Sequence, residues 1–180
     1  MYAGKTSELL KKILWLQHQN VKILVVKPKV DNRYSNDEIV THTGHKIACT
    51  QVSTLSELLE PAHFALSRQE PAIYFNNTVF IDEIQFFAID DVKHFVTKLQ
   101  SRGVNIVAAG LDQDSSGEPF ESSAYILALS DEVNKIQSYC NVCGQPATKT
   151  FKISNSGNRV EVGSVGVYEA RCLEHWNPTR

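Results

Sequence analysis

The 180-residue chain holds no apolar run approaching the ~18–20 residues that a membrane-spanning helix requires. No membrane association is therefore expected. It also has no basic block. Its 18 Lys and Arg face 20 Asp and Glu, for a net charge of −2, so the electrostatic footprint of a protein that binds polymeric nucleic acid is missing. No secretory signal pattern is visible, and there are no internal repeats or low-complexity tracts. Cysteine is scarce, four in all, and the placement of those four matters more than their number. The remainder is ordinary for a globular chain, with 42% hydrophobic and 21% charged residues. That length accommodates one domain, or one domain with a small appendage.

The most informative stretch is Met1-Tyr2-Ala3-Gly4-Lys5-Thr6-Ser7-Glu8-Leu9-Leu10. It reads as the second half of a phosphate-binding loop entering a helix. In such a loop backbone N–H groups cradle phosphates, a Lys reaches the β- and γ-phosphates, and a Thr or Ser hydroxyl ligates Mg²⁺. Gly4, Lys5 and Thr6 fit those three jobs, and the helix N-terminus adds positive potential. The pattern's first glycine and the strand before it would lie upstream of Met1. The expectation is that the natural chain begins earlier; without that strand, a hydrophobic gap should open at the centre of the sheet. A second signal supports nucleotide chemistry. Thr78-Val79-Phe80-Ile81-Asp82-Glu83 is an apolar run ending in two carboxylates, the look of a buried parallel strand delivering acids to the carboxyl edge of a sheet. The bland alternative for Asp82-Glu83 alone is a helix N-terminus.

Cys140 and Cys143 form C-x-x-C, and Cys172 and His175 form C-x-x-H, separated by residues 144–171. Two such pairs read as a four-ligand tetrahedral site for structural Zn²⁺. A disulfide or redox motif is the competing reading, disfavoured because this C-x-x-C follows no βαβ start. Cys49 has no evident partner and is expected as a buried or half-buried thiol.

Apolar spacing predicts a helix from Thr6 to about Gln19, with Leu9, Leu10, Ile13, Leu14 and Leu16 inward. Strands are predicted over 21–26, 47–52, 78–82 and 105–111, with a further strand over 133–138. A helix over 53–66 would be capped by Ser53 or Thr54 with Glu57 as the capping-box partner. A second helix is predicted over 90–102 with Val92, Phe95, Val96 and Leu99 inward, and a short helix or turn over 124–130. Residues 31–37 and 113–119 read as polar loops. The alternation argues an α/β fold, a parallel sheet flanked by helices, with a cysteine-rich appendage from about residue 139.

Taken together, these residues resemble the thymidine kinases of the type found in bacteria and in the animal cytosol. The resemblance spans nearly the whole chain. It is carried by Met1–Leu9, Lys27-Pro28, Asp31-x-Arg33-Tyr34-Ser35, Asp82-Glu83-Ile84-Gln85-Phe86-Phe87, Gly110-Leu111-Asp112-Gln113-Asp114, Gly117-Glu118-Pro119-Phe120, the two ligand pairs, and Val160-Glu161-Val162-Gly163 with Tyr168 between them.

The resemblance implies a P-loop NTPase-like kinase domain over 1–138 and a small zinc-binding lasso (ribbon-like) domain over 139–180. It implies transfer of the γ-phosphoryl group of ATP to the 5′-hydroxyl of thymidine. Glu83 matches the catalytic carboxylate, and Arg33 matches an arginine that neutralises phosphate charge; a loop salt bridge is the alternative for Arg33. Met1, Tyr2, Ala3, Gly4, Lys5, Thr6, Ser7, Asp82 and Gln85 fall on the nucleotide side, with Asp82 facing Mg²⁺. The lasso backbone of Val160, Glu161, Val162 and Gly163 would read the thymine edge, Tyr168 would close the site, and Phe86, Leu111 and Phe120 would wall it. Phe87 is expected in the core instead. Also implied are a cytoplasmic homotetramer and feedback inhibition by thymidine triphosphate.

One departure stands out. Ser115-Ser116 replaces the aromatic, and often basic, pair usual in the family, removing apolar contact of roughly 1–3 kcal/mol. His175 in place of the Cys of animal members is an equally good ligand. Two alternatives stay open at this point. One is another P-loop deoxynucleoside kinase. The other is a zinc-ribbon binding protein with weakened catalysis.

Overall fold

The computed structural model describes residues 3–30, 38–40, 46–59, 77–153 and 166–176. Met1, Tyr2, Arg33 and the Val160–Gly163 segment lie outside them, as do loop 31–37 and the second half, 60–66, of the helix expected over 53–66.

Helix α1, Lys5–His18, follows directly on Gly4, whose φ of 80° is a left-handed conformation that glycine adopts without strain. Strand β1 spans Ile23–Pro28, β2 Glu38–Val40, β3 Lys46–Ala48 and β4 Thr50–Val52. The 47–52 strand expected from sequence is thus two short pieces. β3 pairs antiparallel with β2 and β4 pairs parallel with β1, and a single chain segment serving two partners must break between them. A 3-10 turn, Leu55–Leu59, follows. Glu57 accepts hydrogen bonds from the backbone N–H groups of Ser53 and Thr54, both at 2.9 Å, so the expected capping role is in place on a tighter helix. Asp91 reinforces it by accepting from Leu55 N at 2.6 Å and Ser56 N at 2.9 Å.

Strand β5, Thr78–Ile81, is buried along its whole length. Helix α2 spans Ile89–Gln100, β6 Asn105–Ala108 and α3 Glu121–Leu129. The central sheet runs β4-β1-β5-β6, all parallel. Alternate residues of its strands feed two cores. Val26, Val79 and Ile81 pack on Val92, Phe95, Val96 and Leu99 of α2, while Val25 and Phe80 pack on Leu9, Leu10 and Ile13 of α1. Helices therefore cover both faces, as a parallel sheet requires.

Three sequence expectations need correction. Leu14 points outward, 42% exposed, because the stripe that meets the sheet is Leu9, Leu10 and Ile13 with Leu16 half-buried beside them. No strand occupies 133–137; regular structure resumes only with β7, Ser138–Tyr139, and residues 131–137 are almost all exposed. Among the described residues no gap opens at the centre of the sheet, because β1, β5 and β6 are hydrogen-bonded side by side. Among the described residues the two edges of the sheet are the outer sides of β4 and β6.

Beyond residue 138 the structure changes character. β7 pairs with β8, Pro146–Ala147, and β9, Lys149–Lys152, pairs with β10, Tyr168–Arg171, both antiparallel. Among the described residues the core of this part is only Cys140, Ala147 and Ala170 with Cys172 against it, a small apolar area that a further link would reinforce. Among the described residues no helix is long and apolar enough to cross a membrane.

Candidate active site and metal centre

Parallel strands place their carboxyl ends along one edge, and the site is assembled there. Asp82 leaves the end of β5 with its N–H bonded to Val26 O at 2.9 Å and is only 5% exposed. Across from it, Thr6 in the first turn of α1 donates its hydroxyl to Asp82 Oδ2 at 3.5 Å. Two motifs 76 residues apart in sequence thus meet at one point. A hydroxyl and a carboxylate converging beside Lys5 and the N-terminus of α1 form the oxygen donor set that suits Mg²⁺ with a nucleotide phosphate.

Glu83 is the next residue and adopts φ 52°, ψ 45°. A glutamate in left-handed backbone is uncommon and persists only where its surroundings hold it. They do so here. Its N–H bonds back to Asp82 Oδ1 at 3.0 Å, and its carboxylate accepts a hydrogen bond from Gln85 Nε2. Gln85 is itself buried, and its Oε1 accepts from Leu111 N at 3.0 Å. One amide side chain therefore ties Glu83 to the segment that follows β6. The fit is tight: a Cβ on Gly110 would stand 2.5 Å from Gln85 Oε1 and 2.7 Å from Ile84 Cγ2. Gln85, expected on the nucleotide side, is hydrogen-bonded to both Glu83 and Leu111.

A cleft of about 850 Å³ opens beside these residues. Its lining takes in Lys5, Leu111, Asp112, Gln113 and Lys149 and runs past Val107, Ala108 and Ala109 at the edge of β6 to Glu8, Lys12 and Glu132, while Thr6, Asp82 and Glu83 do not line it. Leu111 is among the residues that line the cleft. Phe86 and Phe120 are half-buried. Phe87 is 4% exposed within the α2 core, as expected. Tyr168, at the start of β10, is 8% exposed. The loop from Asp112 to Phe120 carries its own frame: Asp114 Oδ1 accepts from Ser116 N at 2.9 Å and Glu118 N at 3.0 Å.

The four expected metal ligands come together. One ligand atom from each of Cys140, Cys143, Cys172 and His175 lies within 4.8 Å of all the others. Cys143 Sγ is 3.8 Å from Cys172 Sγ, and Cys172 Sγ is 3.2 Å from His175 Nδ1. A tetrahedron with Zn–S bonds of ~2.3 Å has edges of about 3.8 Å, so the residues fit zinc. The β7–β8 turn supplies the first pair, with Gly144 at φ 70° closing it by a 2.8 Å bond to Cys140 O. Burial resists ionisation of Cys140, yet donors from Cys172, Cys143 and Val142 outweigh it and bring the thiol down to about 6. Cys143 is pushed up: the Gln145 N–H favours its thiolate, but burial and the neighbouring Cys140 and Cys172 prevail. No disulfide joins the four cysteines, which leaves the metal reading of the two pairs as the one the geometry favours. Cys49 is half-buried, as expected.

Several residues at the site gave no clear signal in the sequence. Lys149 donates to Gln113 Oε1 at 2.7 Å, and Trp176 donates to the carbonyls of Ser115 and Thr150. The only clue to Trp176 was its place next to His175.

Residues 1–176 match the family described as thymidine kinase. A thymidine kinase of Mycoplasma mobile is 35% identical over 175 residues, which cover 96% of this chain and 80% of that protein.

Proposed function

We propose the chemistry of the site from this premise: the chain belongs to the thymidine kinase family. It is a phosphotransferase that carries the γ-phosphoryl group of ATP to the 5′-hydroxyl of thymidine. The observation that carries the reading is the meeting of the α1 N-terminus, with Lys5 and Thr6, and the Asp82-Glu83 end of β5.

A nucleoside hydroxyl is a weak nucleophile. Glu83, held by Gln85, orients it and accepts its proton as the hydroxyl oxygen bonds to the γ-phosphorus. The bond from that phosphorus to the β–γ bridging oxygen breaks, and ADP leaves with the electron pair. Lys5 and Arg33 offset the charge on the transferring group. Thr6 and Asp82 would hold Mg²⁺, which when bound supplies Lewis-acid neutralisation of the phosphate oxygens. Cys140, Cys143, Cys172 and His175 would hold Zn²⁺ as a structural ion with no open position.

The same reading assigns residues 1–138 to the kinase domain and 139–180 to the zinc-bound lasso. The Val160–Gly163 backbone reads the thymine edge, and Tyr168, Phe86, Leu111 and Phe120 shape the pocket. Met1, Tyr2, Ala3, Gly4 and Ser7 complete the nucleotide side. The enzyme acts in the cytoplasm as a homotetramer restrained by thymidine triphosphate. A binding protein without catalysis is disfavoured, because it would have no need of Thr6 beside Asp82 or of a strained Glu83.

The test is a nucleoside panel with labelled ATP on the zinc-loaded protein. Label should appear in thymidine monophosphate, with deoxycytidine and deoxyadenosine much poorer. Preference for deoxycytidine would sink the substrate assignment.

A further inference from the structure

We infer that Trp176 is a positioning residue that couples metal binding to the loop bordering the nucleoside site. The inference rests on the reading of the 111–120 segment as part of that site.

Trp176 directly follows the ligand His175 in sequence. Its indole N–H is shared between two carbonyls, Thr150 O at 3.0 Å and Ser115 O at 3.2 Å. One group therefore pins the loop after β6 to strand β9. The ring lies against Gly117, where a Cβ would stand 2.7 Å from Cη2 and 3.2 Å from Cζ2. Gly117 has φ 87°, so both the backbone and the indole hold that position to glycine. Lys149 Nζ sits 4.7 Å from the ring centroid while donating to Gln113 at the start of the same loop. The tryptophan is in none of the hydrophobic clusters of the described residues; its contacts are with the loop and with β9.

What moves at Ser115 is carried to the site. The loop is closed by the Gln113–Pro119 bridge and by Phe120 N bonding to Asp112 O at 3.1 Å. Ser123 Oγ holds Leu111 O at 2.6 Å, and Leu111 N is held by Gln85. Ligation of His175 fixes the backbone one residue from the indole. Loss of the metal frees His175 and Trp176 together and leaves the loop without its outer anchor. Metal occupancy therefore sets the position of Leu111 and Phe120, and through them nucleoside affinity, while the Lys5–Thr6 phosphate side stays as it was.

The chain has two tryptophans, and Trp15 is 58% exposed on α1. Trp15→Phe makes Trp176 the sole fluorescent indole. Chelating the metal should shift its emission to the red, and added Zn²⁺ should restore it; an emission spectrum unmoved by chelation overturns the coupling. In zinc-loaded protein, Trp176→Phe keeps a smaller aromatic ring and removes the indole N–H with both of its hydrogen bonds. The KM for thymidine should rise roughly tenfold, with the KM for ATP and kcat within about twofold. Gly117→Ala pushes the indole from the loop side and should give the same split. An unchanged thymidine KM in both variants at full zinc content overturns the inference, as does an equal rise in both KM values. If the parent protein does not phosphorylate thymidine, the functional reading fails, and the fluorescence measurement decides the coupling by itself.

Discussion

Gly110→Ala tests whether Gln85 holds Glu83 in place. Position 110 has no left-handed backbone to defend, so the effect of an added methyl is steric. The new Cβ would meet Gln85 Oε1 at 2.5 Å and Ile84 Cγ2 at 2.7 Å, with Ile84 N at 3.3 Å. None of these atoms yields cheaply: Ile84 is 3% and Gln85 8% exposed, and Gln85 Oε1 is committed to Leu111 N. Overpacking of this kind costs about 1–3 kcal/mol. Displacing the amide leaves the Leu111 N–H without its acceptor, a further penalty of about 1–3 kcal/mol. A loss near 2–4 kcal/mol is expected, or a fall in Tm of roughly 5–15 °C for a chain of this size. Because Gln85 also bonds the Glu83 carboxylate, kcat should fall about 10–100-fold, the scale of a misplacement near 1 Å. Calorimetry and steady-state kinetics on Gly110→Ala, Gln85→Ala and the double variant separate the terms. With the amide gone, the alanine should cost clearly less than in the parent, a coupling of about 1 kcal/mol or more. Strictly additive losses, or a Gly110→Ala protein with parental Tm and kcat, would refute the chain Gly110–Gln85–Glu83.

Three further outcomes are expected. Thr6→Ala removes the hydroxyl that faces Asp82; turnover should drop roughly 100-fold or more, with a higher Mg²⁺ concentration needed for half-maximal rate, and an unshifted Mg²⁺ titration would remove Thr6 from the metal site. Freshly purified protein should contain one zinc per chain by elemental analysis, and Cys172→Ser should lower that content and weaken thymidine binding more than ATP binding; a metal-free native protein with parental activity would contradict this. For Glu57, partial burial works against the charge, but the Thr54 and Ser53 N–H groups outweigh it and Lys29 adds attraction, so its pKa lies below the ordinary 4.5. A lowered folded pKa stabilises the fold fully above that ordinary value and less as pH falls through the folded value. Glu57→Gln should therefore cost stability at pH 7, on the order of 1 kcal/mol or less for so exposed a group, and the difference should close as pH falls through the lowered folded pKa; a gap that persists in acid would show that charge is not the cause.

The features that were legible in the sequence are those set by local pattern. The run Val79-Phe80-Ile81 ending in Asp82-Glu83 could be read as β5, because a strand buried on both faces is largely apolar. Val92, Phe95, Val96 and Leu99 repeat at helical spacing and all four turn inward. The ligand pairs were legible because a tetrahedral ion constrains spacing directly. The features that were not legible depend on distant partners. Helix α3 begins at Glu121, ahead of the apolar stretch expected at 124, because the hydroxyls of Ser122 and Ser123 bond the carbonyls of Phe87 and Leu111 inside the protein; buried serines leave no mark in a hydrophobic pattern. Leu14 carries the right chemistry for the core but lies off the stripe that meets the sheet. The part played by Gln85 depends on a contact 26 residues away, and that of Trp176 on one 61 residues away.

The most direct measurement is kcat of Glu83→Gln with thymidine and ATP at saturation, alongside nucleotide affinity. The amide keeps the shape of the side chain and loses the proton acceptor. With Glu83 as the base, kcat falls about 10²–10⁴-fold while ATP affinity and Tm stay near parental values. A fall of less than about threefold would mean that the carboxylate at the end of β5 is not the group that takes the proton.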